Sequence, residues 1–154
     1  MVEPVSRSVV EAFFKVYALR DADSVAHFLD DEVEWTISGP IEYLAFCGTH
    51  RGKQAVVDLI KTRVPQVLRV HSFVPESILV DGDRVASLSR QSSRRAVDGR
   101  AISFRVANFM RFRNNKLVQN VSLIDTFDAV EQVLGRPLSG HASDPAPQGD
   151  LIAV

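Results

Sequence analysis

The sequence contains one cysteine, carries almost no net charge and lacks a long hydrophobic run. Because Cys47 is the single cysteine among 154 residues, an internal disulfide is excluded. A formal net charge of -1 gives no electrostatic reason to expect nucleic acid or an anionic membrane as a partner. No stretch reaches membrane-spanning length, and the first residues lack the basic start and apolar run of a signal peptide. We therefore expect a cytoplasmic protein.

Metal-binding and phosphate-binding motifs are also missing. The histidines, His27, His50, His71 and His141, form no metal-ligand spacing with one another or with Cys47. We find no Gly-rich phosphate loop and no Ser-His-Asp motif, and we expect neither a metal nor a cofactor. His50 precedes an Arg-Gly pair, where it either faces the mouth of a pocket as an acid or base or belongs to a surface loop.

The chain does have enough hydrophobic residues, 45% of the total, for one good core, and its length favours a single domain. We assign residues 1–135 to this domain and the Pro-, Gly- and Ser-rich residues 136–154 to a disordered or surface-draped tail. Apolar spacing predicts four helices. The first covers residues 6–19, with Ser6 as its N-cap, and the second is a short helix capped by Asp21 or Asp23. The third covers residues 53–68 and kinks or ends near Pro65, and the fourth covers residues 126–134.

Strands are predicted over 33–38 and in two hairpins, 71–95 and 104–125. The second hairpin turns at Asn114-Asn115, and residues 41–51 are expected to form a loop packed over something apolar. Helices that precede a run of antiparallel strands indicate an α+β fold with a curved sheet wrapped around the helices.

The second hairpin has an unusual face. Alternation places an amide, Asn108, and a carboxylate, Asp125, among apolar side chains that point inward. Burying either polar group without a partner costs roughly 2–7 kcal/mol. Each of the two groups therefore needs a hydrogen-bond partner, which is the other group, a water molecule or a ligand. The predicted inward residues are Phe104, Val106, Asn108, Met110 and Phe112 on the first strand and Leu117, Gln119, Val121, Leu123 and Asp125 on the second.

Four segments together resemble the nuclear transport factor 2-like superfamily, in its SnoaL-like and ketosteroid-isomerase-like branch. They are residues 20–31, Val33-Glu-Trp35, Gly48-Thr-His-Arg-Gly52 before a helix, and the 109–125 pattern with Lys116-Leu117 and Ile124-Asp125. The resemblance covers most of residues 6–134. It implies a cone-shaped α+β fold that encloses an apolar pocket, and a homodimer packed through the sheets. Arg105, Arg111 and Arg113 then lie on the outer face, at the dimer interface or its rim.

The resemblance to ketosteroid isomerases is incomplete at the residues that perform their chemistry. Trp35 occupies the position of the aspartate base, and Phe13 that of the catalytic tyrosine. Asn108 aligns with the protonated aspartic acid and keeps hydrogen-bonding ability. Steroid isomerisation by the familiar mechanism is therefore not expected.

The resemblance to SnoaL-like cyclases implies a different site, with Asp125 as general base and Asn108 as oxyanion donor. The expected activity is that of a lyase or isomerase that abstracts a proton from an apolar carbonyl compound. Asp125 can alternatively cap the closing helix, and Asn108 can satisfy a bulge or a backbone group. The alternative function is a non-catalytic ligand-binding or dimerisation protein. The expected pocket residues are Trp35, Tyr43, Phe46, His50, Phe104, Met110 and Leu123.

Overall fold

The computed structural model describes residues 2–138, and the two predicted N-terminal helices are confirmed. Helix α1 (Arg7–Ala18) begins after Ser6, whose hydroxyl oxygen accepts a hydrogen bond from the Val9 backbone N–H at 3.3 Å. Helix α2 (Ala22–Ala26) begins after Asp21, whose carboxylate accepts one from the Ser24 N–H at 3.1 Å. Each side chain satisfies an N–H that the first helical turn leaves free.

The third helix has two parts. Helix α3 (Lys53–Asp58) continues into a π-helical turn (Leu59–Arg63) that ends just before Pro65. The predicted end of the helix near Pro65 is therefore confirmed. The helix ends here because proline cannot donate a backbone hydrogen bond. Helix α4 (Thr126–Leu134) is the last element of the described chain. It ends at Gly135, whose φ of 70° is readily adopted by glycine because glycine has no Cβ.

The sheet is curved and unclosed, as an α+β cone requires. Its strands are β1 (Leu29–Ser38), β2 (Gly48–Arg51), β3 (Leu68–Asp81), β4 (Arg84–Arg95), β5 (Ala101–Arg113) and β6 (Lys116–Ile124). Its strand order is β2-β1-β6-β5-β4-β3, and every pairing is antiparallel except that of β1 with β6. The short strand β2 lies inside the segment that was predicted to be a loop.

A bulge in β6 reverses the side-chain directions predicted for that strand. The turn forms as predicted, with φ of 50° at Asn114 and 58° at Asn115. Phe112 pairs with Leu117, but Arg111 pairs with Gln119, so Val118 is an additional residue between them. Because side chains alternate with a period of two, one additional residue exchanges the two faces beyond it.

The predicted inward face is therefore right for β5 and wrong for most of β6. Leu117 is buried as expected, whereas Asn120 and Ser122 are buried in place of their neighbours. Leu123 is 45% exposed. The residues whose predicted inward direction is wrong are Gln119, Val121, Leu123 and Asp125.

Aromatic rings from α1 pack against aromatic rings of β1 and β5 in the core. The Phe13 ring lies 6.4 Å from both the Trp35 and the Phe112 rings, and Tyr17 stacks on Phe13 at 5.8 Å. No helix within residues 2–138 has the length and apolar character needed to cross a membrane. The boundary predicted at residue 135 follows the end of α4, and residues 139–154 of the predicted tail lie outside the described residues.

Candidate functional site

The inner face of the sheet carries a group of buried polar side chains. Protein interiors accept such groups mainly where they are hydrogen-bonded, so eight of them on one concave face call for an explanation. They are His50 on β2, Ser87, Ser89, Gln91 and Ser93 on β4, Asn108 on β5, and Asn120 and Ser122 on β6.

Three of these side chains form a hydrogen-bonded row across β6 and β5. The Asn120 Nδ2 donates to the Ser122 Oγ at 3.0 Å, and the Ser122 hydroxyl donates to the Asn108 Oδ1 at 2.7 Å. Asn108 in turn pairs in register with Ser87 on β4. The bulge at Val118 makes this row possible, because it turns Asn120 and Ser122 toward the interior.

Four buried polar atoms beside this row have no hydrogen-bond partner in the described structure. They are the Trp35 Nε1, the Ser87 Oγ, the Ser89 Oγ and the Asn120 Oδ1. An unpaired buried donor or acceptor costs about 1–3 kcal/mol, so these atoms are suited to ordered water or to polar atoms of a ligand.

Ser122, the middle member of the row, lines a cavity in the mouth of the cone. The cavity volume is ≈ 30 Å³, which holds one or two water molecules. Six of the lining residues are apolar and four are polar: Ile37, Phe46, Val64, Phe104, Val106 and Ile124, together with Tyr17, Arg20, Gln91 and Ser122.

Arg20 is the positively charged residue of this lining. Its guanidinium carbon lies 4.6 Å from the centre of the Tyr17 ring, and its Nη2 donates to the Gln91 Oε1 at 3.4 Å. Arg20 follows the end of α1 with φ of 56°, in the left-handed region that glycine usually occupies. Within residues 2–138 the guanidinium thus has one stacking contact and one long hydrogen bond.

Several predicted site residues do lie inside the cone. Phe46 and Phe104 line the cavity, and Asn108 is bonded to the lining residue Ser122. Trp35 and Met110 are buried.

His50 is a buried residue of β2, so its alternative assignment to a surface loop is wrong. Its Nε2 lies 2.9 Å from the Phe46 carbonyl oxygen, and this contact joins β2 to the loop before it. His50 therefore helps to position the Phe46 backbone beside the cavity.

Three predicted site residues point elsewhere. Tyr43 is 46% exposed in the loop before β2, and Leu123 lies on the outer face of β6. Asp125 is exposed at the N-cap position of α4, where its carbonyl oxygen accepts the Ala129 N–H at 2.9 Å and its carboxylate makes no capping bond. The inward direction predicted for Asp125 is wrong because of the bulge.

The polar cavity residues Tyr17, Arg20 and Gln91 were not predicted. A signal was present in β4, where serine and glutamine occupy alternate positions of the 87–93 segment. Polar alternation normally marks the solvent face of a strand. Here Val85 precedes the series on the same buried face, and this is the clue that the polar residues point inward.

Cys47 directly follows the lining residue Phe46 and is buried. Burial raises the pKa of the Cys47 thiol to about 11, so it is protonated near neutral pH. Among residues 2–138, no three His, Cys, Asp or Glu side chains are grouped so as to hold a metal ion.

Comparison with known proteins identifies similar chains. Residues 10–120 match the SnoaL-like domain. A crystal structure of a candidate isomerase from Rhodopseudomonas palustris is 35% identical, with a TM-score of 0.71 over 82% of this chain and 93% of that one. A nuclear transport factor 2-like protein of unknown function from Burkholderia pseudomallei is 23% identical, with a TM-score of 0.70 over 82% and 93%.

A third structure, from Catenulispora acidiphila, is a hypothetical protein with a ketosteroid isomerase-like fold in complex with trimethylamine. It is 12% identical, with a TM-score of 0.69 over 86% of this chain and 96% of that one. No curated protein is similar enough to this chain to be matched.

Proposed function

This chain belongs to the SnoaL-like domain family, and from that premise we propose that it binds a small, mostly apolar molecule at the mouth of the cone. The observation that carries the proposal is the hydrogen bond from Ser122 to Asn108 beside an otherwise largely apolar lining. An apolar pocket with a few convergent polar groups is the usual form of a small-molecule site, with a volume of roughly 300–1,000 Å³. Because this cavity has a volume of ≈ 30 Å³, the proposal requires that a ligand displace lining side chains when it binds. The ligand's polar atom would face Ser122, and its apolar body would contact Phe46, Phe104 and Val106.

Binding without chemistry is favoured over catalysis. Of the residues that the structure describes, none that lines the cavity carries a carboxylate or an imidazole, the groups that accept a proton most readily near neutral pH. The polar row consists of two neutral amides and one hydroxyl. Such groups orient a carbonyl or hydroxyl of a ligand, but they do not supply a general base.

The alternative is an isomerase or lyase in which Asp125 is the general base and Asn108 the oxyanion donor. The candidate isomerase that is 35% identical favours this second function. Asp125 directly follows Ile124, which lines the cavity. Its carboxylate would have to turn from solvent into the mouth to reach a ligand.

One pair of ketones tests binding. We expect 2-acetonaphthone or cyclohexanone to shift the amide NMR signals of Phe104 and Ser122 in a saturable titration. Val106→Phe should block the mouth and abolish the shifts, whereas Arg105→Phe, the outward neighbour on the same strand, should leave them intact. Failure of both ketones to bind, or binding that survives Val106→Phe, would contradict the proposed site.

The same ketones distinguish binding from catalysis. A general base that acts beside a carbonyl exchanges the adjacent C–H protons for deuterium in D₂O, and this exchange is visible by NMR. Under the binding proposal the protein does not accelerate the exchange. Acceleration that is lost in Asp125→Asn, with affinity for the ketone retained, would establish the alternative function and refute the non-catalytic one.

We also propose that two copies pair through the outer face of the sheet. Leu79, Ala86, Phe109 and Val121 form a register-matched row across four strands, and the Phe109 side chain is 54% exposed. An apolar row of this kind on an open sheet face is suited to a second copy. Phe109→Glu should convert a dimer to a monomer in light scattering, while Phe127→Glu on α4 should not. A monomeric wild type would contradict this proposal.

A further inference from the structure

We infer that the ligand carries a carboxylate or a similar anionic oxygen group and that Arg20 binds it. This inference rests on the proposed ligand-binding function and names the chemical class of the ligand. Arg20, Tyr17, Gln91 and Ser122 lie around one cavity mouth, so an anionic head beside Arg20 leaves the apolar body of a ligand against the remaining lining residues.

Arg20 has unused binding capacity. Its guanidinium has five N–H donors, and within residues 2–138 its one hydrogen bond is the 3.4 Å contact with Gln91. No carboxylate of the described chain forms an ion pair with it, in contrast to Arg111, which pairs with Asp83 at 3.0 Å. A planar guanidinium with free donors matches the two oxygens of a carboxylate.

The position of Arg20 in the chain does not require this side chain. Arg20 is the second residue after α1 and has φ of 56°, a conformation that glycine adopts most easily. Glycine or asparagine would serve the backbone as well or better. The arginine extends instead over the Tyr17 ring to the mouth, which points to a role for its charge.

The surroundings strengthen the interaction with an anion. Arg20 is half-buried, and the cavity lining within residues 2–138 contains this one cation and no carboxylate. Partial exclusion of water lowers the local dielectric and strengthens a charge-assisted hydrogen bond. The long bond to Gln91 is weak by geometry, so an anionic ligand can replace it at little cost.

Two probes of the same shape test the inference, 2-naphthoate and its neutral isostere 2-naphthamide. Calorimetric titration at low salt should show wild-type protein binding the naphthoate about 10-fold or more tightly than the amide, the range expected of a hydrogen-bonded charged group. Arg20→Gly and Arg20→Asn should both lose this preference and bind the amide as wild type does.

Two controls distinguish direct binding by Arg20 from an effect of total charge and from an effect on folding stability. Arg69→Gln removes one positive charge from an exposed position on β3 and should keep the full preference. Arg20→Gly should melt at or above the wild-type temperature, because it relieves the left-handed conformation. A ligand-binding role predicts lost selectivity with retained stability, whereas a purely structural role predicts the reverse.

The outcomes distinguish this inference from the proposed function. Equal binding of both probes by wild type, or a preference that persists in both Arg20 variants, overturns the inference and leaves the proposed function in place. Binding of neither probe by wild type, with failure of the ketones, overturns both. Preference for naphthoate that depends on Arg20 supports both.

Discussion

Ser122 joins the two amides of the buried row, and its removal has a calculable effect on stability. The Ser122 hydroxyl accepts from Asn120 at 3.0 Å and donates to Asn108 at 2.7 Å. Ser122→Ala deletes one oxygen atom but leaves the Asn108 Oδ1 and the Asn120 Nδ2 buried without these partners. An orphaned buried polar group costs about 1–3 kcal/mol, and partial rearrangement of the amides can recover some of it.

We therefore expect Ser122→Ala to lower the free energy of unfolding by about 1–3 kcal/mol. For a chain of this size, that loss corresponds to a fall of roughly 3–9 °C in melting temperature. Urea unfolding followed by circular dichroism measures the free energy, and an unchanged m-value would show that the denatured state is unaffected.

Ser87→Ala is the matched control, because it deletes a buried hydroxyl from β4 at the position that pairs in register with Asn108. The Ser87 Oγ has no partner in the described structure, so its removal should be neutral or stabilising. Equal losses in the two variants would refute this reasoning, since they would mean that both hydroxyls are hydrogen-bonded. A change below about 0.5 kcal/mol in Ser122→Ala would likewise contradict the assigned row.

Two further predictions concern Cys47. A Cβ added at Gly39 would lie 2.7 Å from the Cys47 Sγ, so Gly39→Ala should lower the free energy of unfolding by about 1–3 kcal/mol. In a Cys47→Ala background the same substitution should lower it much less. Additive effects of the two substitutions in this double-mutant cycle would contradict the steric explanation. Burial raises the Cys47 pKa from 9.0 to about 11. Between these values the unfolded chain loses the proton first, so stability should fall with rising pH by about 1.4 kcal/mol per unit. Urea unfolding at pH 8 and pH 10 should show this extra loss in wild type but not in Cys47→Ala.

The helices and turns were predictable because their signals are local. Ser6 and Asp21 cap the helices that follow them, and the Asn114-Asn115 pair adopts the positive φ values that a two-residue hairpin turn requires. Each of these features depends on a few adjacent residues. The order of the elements then indicated the α+β class, which the curved sheet confirms.

The candidate site was predicted less well, because one residue in β6 changes its composition. Alternation correctly turned Asn108 inward, but the additional residue Val118 exchanged Asp125 for Ser122 on the inner face. A bulge leaves no strong mark in the sequence, since the strand on either side of it still alternates. The expected base consequently lies in solvent, and a hydroxyl occupies the interior.

Local sequence signals were sufficient to predict the helix caps, the hairpin turns, the fold class and the inward direction of Asn108. These follow from backbone preferences and periodicity over short distances. The tertiary structure alone decided that Arg20, Gln91 and Ser122 meet at one cavity mouth, since they come from the end of α1, from β4 and from β6. Such a meeting depends on sheet curvature and strand register, which are set by packing between distant segments rather than by neighbouring residues.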